Sequence, residues 1–171
     1  VQLVMKYQPE SFESFDDHTL KLAIRFFFNL IKILKPKNIF WLAWGFLPEF
    51  WLFLTGGLPK LILLAELTDD DEKNLERRLE NLRQELKNKK LPFRILKNEE
   101  EAKKYWTIRR ESFNLLRHHI KGKRTAPFID DFIVRVGQLP EFLPRLAGIL
   151  GQYDFTYTIA GHVGDANFHI I

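Results

Sequence analysis

Two histidines stand near the end of the 171-residue chain, in the stretch GHVGDANFHI at residues 161–170. Seven residues apart, His162 and His169 would share one face of an α-helix, but the glycine, aspartate and asparagine residues of this stretch disfavour a helix interior. On one straight strand, an odd separation would place the two side chains on opposite faces. The sequence therefore predicts a turn at Gly-Asp-Ala-Asn, flanked by strands, across which the two imidazoles converge.

Such a histidine pair could bind a divalent metal, since neutral imidazole suits Zn, Fe or Mn. A structural metal site needs four ligands, and a catalytic one needs about three and an open position. Asp165 could supply a third ligand, although an aspartate in a turn more often bonds to its own backbone. The alternative is a pair of hydrogen-bonded histidines at the rim of a sheet. The residue types alone leave both alternatives open.

Arg109 is the second residue that could carry chemistry, and it lies on a helix predicted over residues 99–116. The apolar positions of that helix are Ala102, Trp106, Phe113 and Leu116. Arg109 falls among them at spacings of three and four residues. A permanent charge on a packed face needs an anionic partner, which is either a bound anion or a nearby acid of the protein. The neighbouring Arg110 is expected to be solvated.

The composition narrows the range of functions. The chain has 46% hydrophobic residues, enough for a packed core, and no cysteine, which excludes disulfides and cysteine nucleophiles and favours a cytoplasmic location. The net charge of +4 is spread over amphipathic helices, so nucleic-acid binding is not expected. No Gly-rich phosphate loop is present, so the chain shows no means of binding a nucleotide by itself.

The first part of the chain, residues 1–58, is predicted to be a helical apolar segment. Residues 9–35 have the caps and apolar stripe of one amphipathic helix, and Pro36 ends it. The aromatic-rich residues 38–55 follow, and their uncharged run is too short to span a bilayer. We expect this segment to pack against a domain outside the sequence or against the inner face of a membrane, as a peripheral contact.

Residues 59–171 alternate between strand and helix patterns. Strands are predicted at 61–67, where an unbroken apolar run indicates full burial, and at 92–96, 128–136 and 155–162. Helices are predicted from the capping residue Thr68, over 99–116 and over 139–153. This order predicts an α+β fold, a ferredoxin-like antiparallel sheet with helices on one face, after the helical aromatic-rich segment. The last strand pattern still runs at the final residue, so a fragment truncated at its C-terminal end is expected.

Three motifs in this order resemble one protein family. GHVGDANFHI resembles G-H-x-G-D-G-N-x-H, a motif of the C-terminal cap domain of FAD-linked oxidoreductases of the vanillyl-alcohol oxidase type. YWTIRRESF at 105–113 looks like the W-x-x-R helix of that family, and IDDFIVRVGQLPEFLPRL at 129–146 looks like its strand and helix. The chain is most similar to the branch of D-lactate dehydrogenase, glycolate oxidase and D-2-hydroxyglutarate dehydrogenase. Ala166 replaces the usual glycine, which would strain the turn if φ is positive there.

The resemblance implies an FAD-dependent oxidoreductase that oxidises a D-2-hydroxy acid such as D-lactate or glycolate. It implies that His162 and His169 are catalytic and bind a metal, that Arg109 binds the substrate carboxylate, and that Asn167 contacts the cofactor. The flavin would be held mainly by a separate domain, so this fragment alone is expected to be inactive. The family's third metal ligand, a glutamate in a later E-H-G segment, would lie beyond Ile171.

A rival hypothesis comes from a different class of protein. In it, the chain is a ferredoxin-like binding module that docks a membrane surface or a partner protein through residues 38–55.

Overall fold

The computed structural model describes residues 1–26, 31, 47, 51, 54–55, 57–96, 99–119, 131–154 and 157–170, with backbone alone at 99–100, 112–113 and 115–119. Its helices are α1 (Gln2–Met5), α2 (Asp17–Arg25), α3 (Glu72–Asn88), α4 (Glu99–His119) and α5 (Leu139–Leu150). Its strands are β1 (Ser11–Asp16), β2 (Leu61–Glu66), β3 (Phe132–Ile133), β4 (Ile159–Gly161) and β5 (Asn167–Ile170). None of the helices in these ranges is long and apolar enough to cross a membrane.

The five strands form one sheet in the order β2-β1-β4-β5-β3. Every neighbouring pair is antiparallel, which confirms the α+β class and the antiparallel sheet. β1 lies inside the sheet: it pairs with β2 from Ser11↔Glu66 to Asp16↔Leu61, and with β4 at Ser14↔Gly161 and Phe15↔Ala160. The backbone of β1 is therefore held from both sides.

The prediction of one helix over residues 9–35 was wrong at its start, because residues 11–16 form β1. Asp16 is the reason that the helix begins later: it is extended, and its side chain accepts a hydrogen bond from the backbone N–H of Thr19 at 2.8 Å. This is an N-cap, which marks the first turn of α2. The helix ends at Arg25, and the predicted aromatic-rich segment lies largely outside the described residues. The division of the chain at residue 58 stays a prediction.

The sheet is packed through two hydrophobic clusters. The first contains Phe15, Leu20, Ala23, Ile24, Ile108 and Ala160, and it joins the sheet to α2 and α4. The second contains Phe12, Leu139, Val163, Ala166 and Phe168. Side chains alternate along a strand, so Phe15 and Phe12 belong to opposite faces of β1. We call the face of Phe15 the α4 face, since Ile108 of α4 packs on it.

Other predicted elements match the structure to different degrees. The helices at 99–116 and 139–153 are confirmed as α4 and α5, and Pro140 stands near the start of α5 as expected. The strand at 61–67 is confirmed as β2, but full burial was wrong: β2 lies at the edge of the sheet and Leu63 is exposed. The cap of α3 is Asp71 and not Thr68, since the Asp71 side chain accepts from the backbone N–H of Lys73 at 3.0 Å.

The strand predicted at 92–96 was wrong. These residues form neither strand nor helix, and Phe93 and Ile95 are exposed. Pro92 has no backbone N–H to donate, and within the described ranges no strand runs beside this segment. The strand predicted over 128–136 is limited to Phe132–Ile133 in its described part, and that over 155–162 to Ile159–Gly161.

Candidate active site

The turn between β4 and β5 brings the two predicted histidines together. The backbone N–H groups of Asp165 and Asn167 both donate to the carbonyl oxygen of His162 at 3.1 Å, which closes the turn. Ala160 stands opposite His169 in the antiparallel register, so these two side chains share the α4 face. The imidazole centroids of His162 and His169 are 6.1 Å apart, with the rings nearly perpendicular at 82°. The predicted turn is present, and the imidazoles converge across it.

Gly161 allows the two strands of this hairpin to approach closely. A Cβ atom at this position would lie 2.2 Å from the carbonyl oxygen of Asn167 and 2.7 Å from the Cα of Phe168. No side chain fits there, so glycine is required at position 161, immediately before His162, for steric reasons. The suspected strain at Ala166 is also real, because its φ is 51° while its methyl group is fully buried.

Glu13 of β1 joins the site next to His162. Ser14 pairs with Gly161, and one step further along this register brings Glu13 beside His162. The Oε1 atom of Glu13 lies 2.5 Å from Nδ1 of His162. The side chain of Glu13 is only 10% exposed, so this contact takes place in a largely desolvated environment.

Arg109 reaches the same carboxylate from α4. Its Nη2 atom lies 2.8 Å from Oε2 of Glu13, as an ion pair, and its side chain is 21% exposed. Ile108, the preceding residue, is fully buried in the first cluster, which places this turn of α4 against the sheet. The anionic partner that the sequence required for Arg109 is thus an acid of the protein itself in this structure. Arg110 is exposed, as expected.

Sequence reasoning missed Glu13 because it placed this residue in the first turn of the wrongly extended helix. Phe12 and Phe15, three residues apart, matched a helical stripe as well as they match two strand faces. One signal could have separated the alternatives: Asp16 followed three residues later by Thr19 is a typical helix start. A helix starting there leaves residues 11–16 available for a strand.

Asp16 fixes β1 against β4 and α2. Its carboxylate accepts hydrogen bonds from the backbone N–H and the hydroxyl of Thr19 at 2.8 and 2.9 Å, and from the backbone N–H of Ile159 at 2.9 Å. Burial raises the pKa of Asp16 above its usual value, although these hydrogen bonds and the nearby His18 act in the opposite direction. Asp16 therefore links the strand that carries Glu13 to the strand that leads to His162.

Asn167 and His169 complete the polar residues of the hairpin. They are two residues apart on β5 and share a face. Nδ1 of His169 lies 3.8 Å from Oδ1 of the half-exposed Asp131. The Oδ1 atom of Asn167 is buried and has no hydrogen-bond partner within the described part of the chain. A buried acceptor of this kind fits a hydrogen-bond donor on a bound group, which is the role that the resemblance implies for Asn167.

The expected metal site is not supported by the residues that the structure describes. In the described ranges, no group of three or more histidine, aspartate or glutamate side chains is arranged to hold a metal ion. The two imidazoles alone fall short of the three ligands of a catalytic site. The contact of Nδ1 of His162 with Glu13 is compatible with ligation through Nε2, since a ligating histidine often holds a carboxylate with its other ring nitrogen.

Comparison with known proteins shows two similarities. A family model described as FAD linked oxidases, C-terminal domain, matches residues 2–171. A stretch of 75 residues is 29% identical to a D-2-hydroxyglutarate dehydrogenase from Stutzerimonas stutzeri (strain A1501), and it covers 43% of this chain and 15% of that protein. The chain thus matches a small part of the length of this curated relative.

Proposed function

Since the chain belongs to the family of the C-terminal domains of FAD linked oxidases, we propose that it is the substrate-contacting part of an enzyme that oxidises a D-2-hydroxy acid such as D-lactate or glycolate. One observation carries the proposal: Arg109, His162 and His169 come together on one face of the sheet, around a buried acid. The name of the D-2-hydroxyglutarate dehydrogenase relative agrees with this substrate class.

The chemistry of a 2-hydroxy acid matches these side chains. Its carboxylate suits the planar fork of the Arg109 guanidinium, which binds carboxylates with parallel hydrogen bonds. Its hydroxyl must lose a proton as the carbonyl product forms, and an imidazole of His162 or His169 can accept that proton as a general base. FAD, when bound, supplies the acceptor for the α-hydrogen and its electron pair. Holding the carboxylate and the hydroxyl at separate groups orients the carbon between them.

The contact of this chain with the flavin is proposed to be limited. The buried Oδ1 of Asn167 is an acceptor available for a hydrogen bond from the cofactor. The sequence has no phosphate-binding loop, so the binding of the flavin's phosphates is assigned to a separate flavin-binding domain. That domain is the principal partner that we propose for this chain.

Substitution of Arg109 in the complete flavoprotein tests the proposal. Charge-assisted hydrogen bonds contribute about 1.5–3 kcal/mol each, so Arg109→Ala should lower kcat/KM on D-lactate by about two orders of magnitude or more. Arg109→Lys keeps the charge that faces Glu13 but loses the fork, and it should restore only part of the activity.

Arg110→Ala is the matched control, because Arg110 lies next to Arg109 on α4 and is exposed. Its kcat/KM should stay close to that of the wild type. Flavin content and thermal unfolding of each variant separate a loss of substrate binding from a loss of folded protein. A crippled Arg110→Ala beside a nearly normal Arg109→Ala would mean that the substrate lies elsewhere.

A second candidate function, docking to a membrane surface, is favoured by one exposed patch. Leu47, Trp51 and Leu54 are all exposed, and Trp51 is 67% exposed. Their spacing of four and three residues is that of one helix face, although most of residues 38–55 lie outside the described part of the chain. Cosedimentation with anionic liposomes that is lost on Trp51→Ser would support this function. Failure to cosediment at low ionic strength would remove it.

A further inference from the structure

Strand β2 has one edge that no other strand covers in the part of the chain that the structure describes. Its residues 61–65, LILLA, contain no charge and no proline, and their pairing with β1 has no bulge. Leu63 in the middle is exposed. Proteins usually protect a sheet edge with charges, proline or a bulge, because its backbone groups pair readily with another strand. This edge is therefore suited to binding a further strand.

The hydrogen bonds between β1 and β2 show which backbone groups point to the free edge. The carbonyl oxygen of Lys60 accepts from the N–H of Asp17 at 3.3 Å, and that of Glu66 accepts from the N–H of Glu10 at 2.8 Å. Backbone groups alternate in direction along a strand, so the even-numbered residues of 60–66 point towards β1. The residues whose N–H and C=O groups point away from the sheet are Leu61, Leu63 and Ala65.

We propose that β2 pairs with β2 of a second copy of this chain, antiparallel and about a two-fold axis at Leu63. The two five-stranded sheets would then form one continuous sheet. This proposal goes beyond the proposed function and does not depend on the substrate. A symmetric contact of this kind uses the same surface on both copies, as in most homodimers.

The directions of the backbone groups select this register. A hydrogen-bonded antiparallel pair needs outward-pointing groups on both strands. With Leu63 opposite Leu63 of the partner subunit, Leu61 lies opposite Ala65 of the partner subunit, and every outward-pointing residue is paired. A shift by one residue would place outward-pointing groups opposite inward-pointing ones. A shift by two would place one outward-pointing residue of each strand opposite a position outside β2.

The charges at the two ends of β2 favour a second copy as the partner. In this register, Lys60 lies opposite Glu66 of the partner subunit, and the symmetry repeats this pair at the other end. Both are non-hydrogen-bonded positions of the new ladder, where facing side chains are closest. The Lys60 side chain is 88% exposed and Glu66 is exposed, so both are accessible to a partner.

The side chains between these charges are apolar. The exposed Leu63 would pack against the same side chain of the second copy, on the face opposite to the α4 face. On the α4 face, Ile62 would lie opposite Leu64 of the partner subunit. Cross-strand apolar pairs of this kind stabilise a sheet. A contact through one strand pair is small, so we expect a reversible dimer.

A cysteine at the proposed two-fold axis tests the register in the complete flavoprotein. The 171 residues contain no cysteine, so Leu63→Cys adds one thiol to this region of each copy. In a hydrogen-bonded antiparallel pair the Cα atoms are about 5.5 Å apart, and a disulfide spans about 4.4–6.8 Å. Under mild oxidation, we expect Leu63→Cys to form a disulfide-linked dimer, measured by non-reducing gel electrophoresis.

Ala65→Cys is the matched control, since Ala65 is exposed and shares the strand and the face of Leu63. In the proposed register, the two copies of residue 65 lie four residues apart along the strands, which is about 13 Å and too far for a disulfide. Ala65→Cys should therefore stay largely uncross-linked. The wild type, oxidised in the same way, reports on any cysteine outside this sequence.

A charge exchange tests the same register without a cross-link. Lys60→Glu places like charges opposite each other at both ends, so it should raise the dimer dissociation constant, measured by sedimentation velocity, by about tenfold or more. Adding Glu66→Lys in the same chain restores opposite charges and should restore the dimer. Lys73→Glu, at an exposed position on α3, is the control for the change of net charge and should leave the dissociation constant unchanged.

Three results would overturn the proposal. A wild type that is monomeric at every protein concentration, or Leu63→Cys that cross-links no faster than Ala65→Cys, would mean that another segment or the flavin-binding domain covers this edge. A double variant that dimerises no better than Lys60→Glu would mean that the copies meet in another register or through another surface. The cysteine variants replace only exposed side chains, and thermal unfolding of each variant verifies that it is folded.

Discussion

The β4–β5 hairpin and strand β1 both deliver polar side chains to the α4 face, but they do so under different constraints. In the hairpin, the turn hydrogen bonds and the close approach at Gly161 involve residues a few positions apart. The partners of Glu13 on β1 are distant in the sequence: Glu13 and His162, which are in contact, are 149 positions apart. The residues that shape the hairpin are close together in the sequence, so they can be recognised as a motif. A contact between distant residues gives no such motif, and Glu13 cannot be distinguished from other glutamates by its sequence context.

The largest effect is expected from breaking the hairpin with Gly161→Ala. The new Cβ would lie 2.2 Å from a backbone oxygen that belongs to the paired strand, so β4 and β5 would have to separate. We expect a loss of about 3 kcal/mol in the free energy of unfolding, measured with a chemical denaturant.

Gly148→Ala is the control for this substitution. Gly148 lies on α5, and a Cβ there meets no atom within 4 Å, so alanine should raise the stability by up to about 1 kcal/mol. A change below about 1 kcal/mol at Gly161 would show that the two strands yield easily. The backbone of the β4–β5 hairpin would then be less tightly constrained than the close approach at Gly161 indicates.

The next effect concerns β1 and uses Asp16→Asn. The carboxylate of Asp16 serves three donors from Thr19 and Ile159, and an asparagine cannot accept from all of them with its one oxygen. A buried N–H left without a partner costs about 1–3 kcal/mol, so we expect a destabilisation of about 2 kcal/mol at neutral pH.

The pH dependence of this loss gives a sharper measurement. Burial raises the pKa of Asp16 in the folded state, so its titration contributes stability that is full below the unfolded pKa of 3.8 and is lost as the pH rises through the raised value. The difference in unfolding free energy between the wild type and Asp16→Asn should therefore be larger in acid than at neutral pH.

Asp17 provides a control of opposite sign at the next position. Burial alone would raise its pKa, but the hydrogen bond and charge of Lys21, together with Lys60, bring the pKa below the usual value. The contribution of Asp17 should be present above pH 3.8 and lost as the pH falls, so Asp17→Asn should cost least in acid. Parallel pH profiles for the two variants would contradict the assignment of burial as the dominant influence on Asp16.

The same contrast explains how much could be predicted from the sequence. The turn, the helices α4 and α5 and the α+β class followed from local patterns and were confirmed, and the order of three motifs indicated the family to which the chain belongs. β1 was mistaken for helix, because its two phenylalanines fit both periods and only its pairing with β2 and β4 decides between them. The position of Arg109 on a packed helix face predicted an anionic partner but did not identify it as Glu13. The charge and the expected burial of a residue do not show which distant residue it contacts.

The smallest expected effect lies inside the hairpin turn, at Ala166→Gly. Glycine would relieve the left-handed conformation at φ 51°, a gain of about 1 kcal/mol. Against this stand the greater entropy of glycine in the unfolded chain, about 0.5–1 kcal/mol, and a buried methyl group of the second cluster, about 0.8 kcal/mol. The costs equal or exceed the relief, so Ala166→Gly should be neutral or up to about 1 kcal/mol less stable by denaturant unfolding.

Lys90→Gly isolates the contribution of that methyl group. Lys90 has a φ of 54° at the end of α3, is exposed, and stands in a turn where Leu91 N–H donates to the carbonyl of Leu86 at 3.0 Å. Glycine is favoured at this position after a helix, and no buried methyl is lost there, so the variant should be more stable by up to about 0.5 kcal/mol. If Ala166→Gly gained as much stability as Lys90→Gly, the methyl of Ala166 would contribute nothing to the second cluster. Alanine in place of the family's glycine at position 166 would then strain the backbone, and no packing of its methyl group would compensate for that strain.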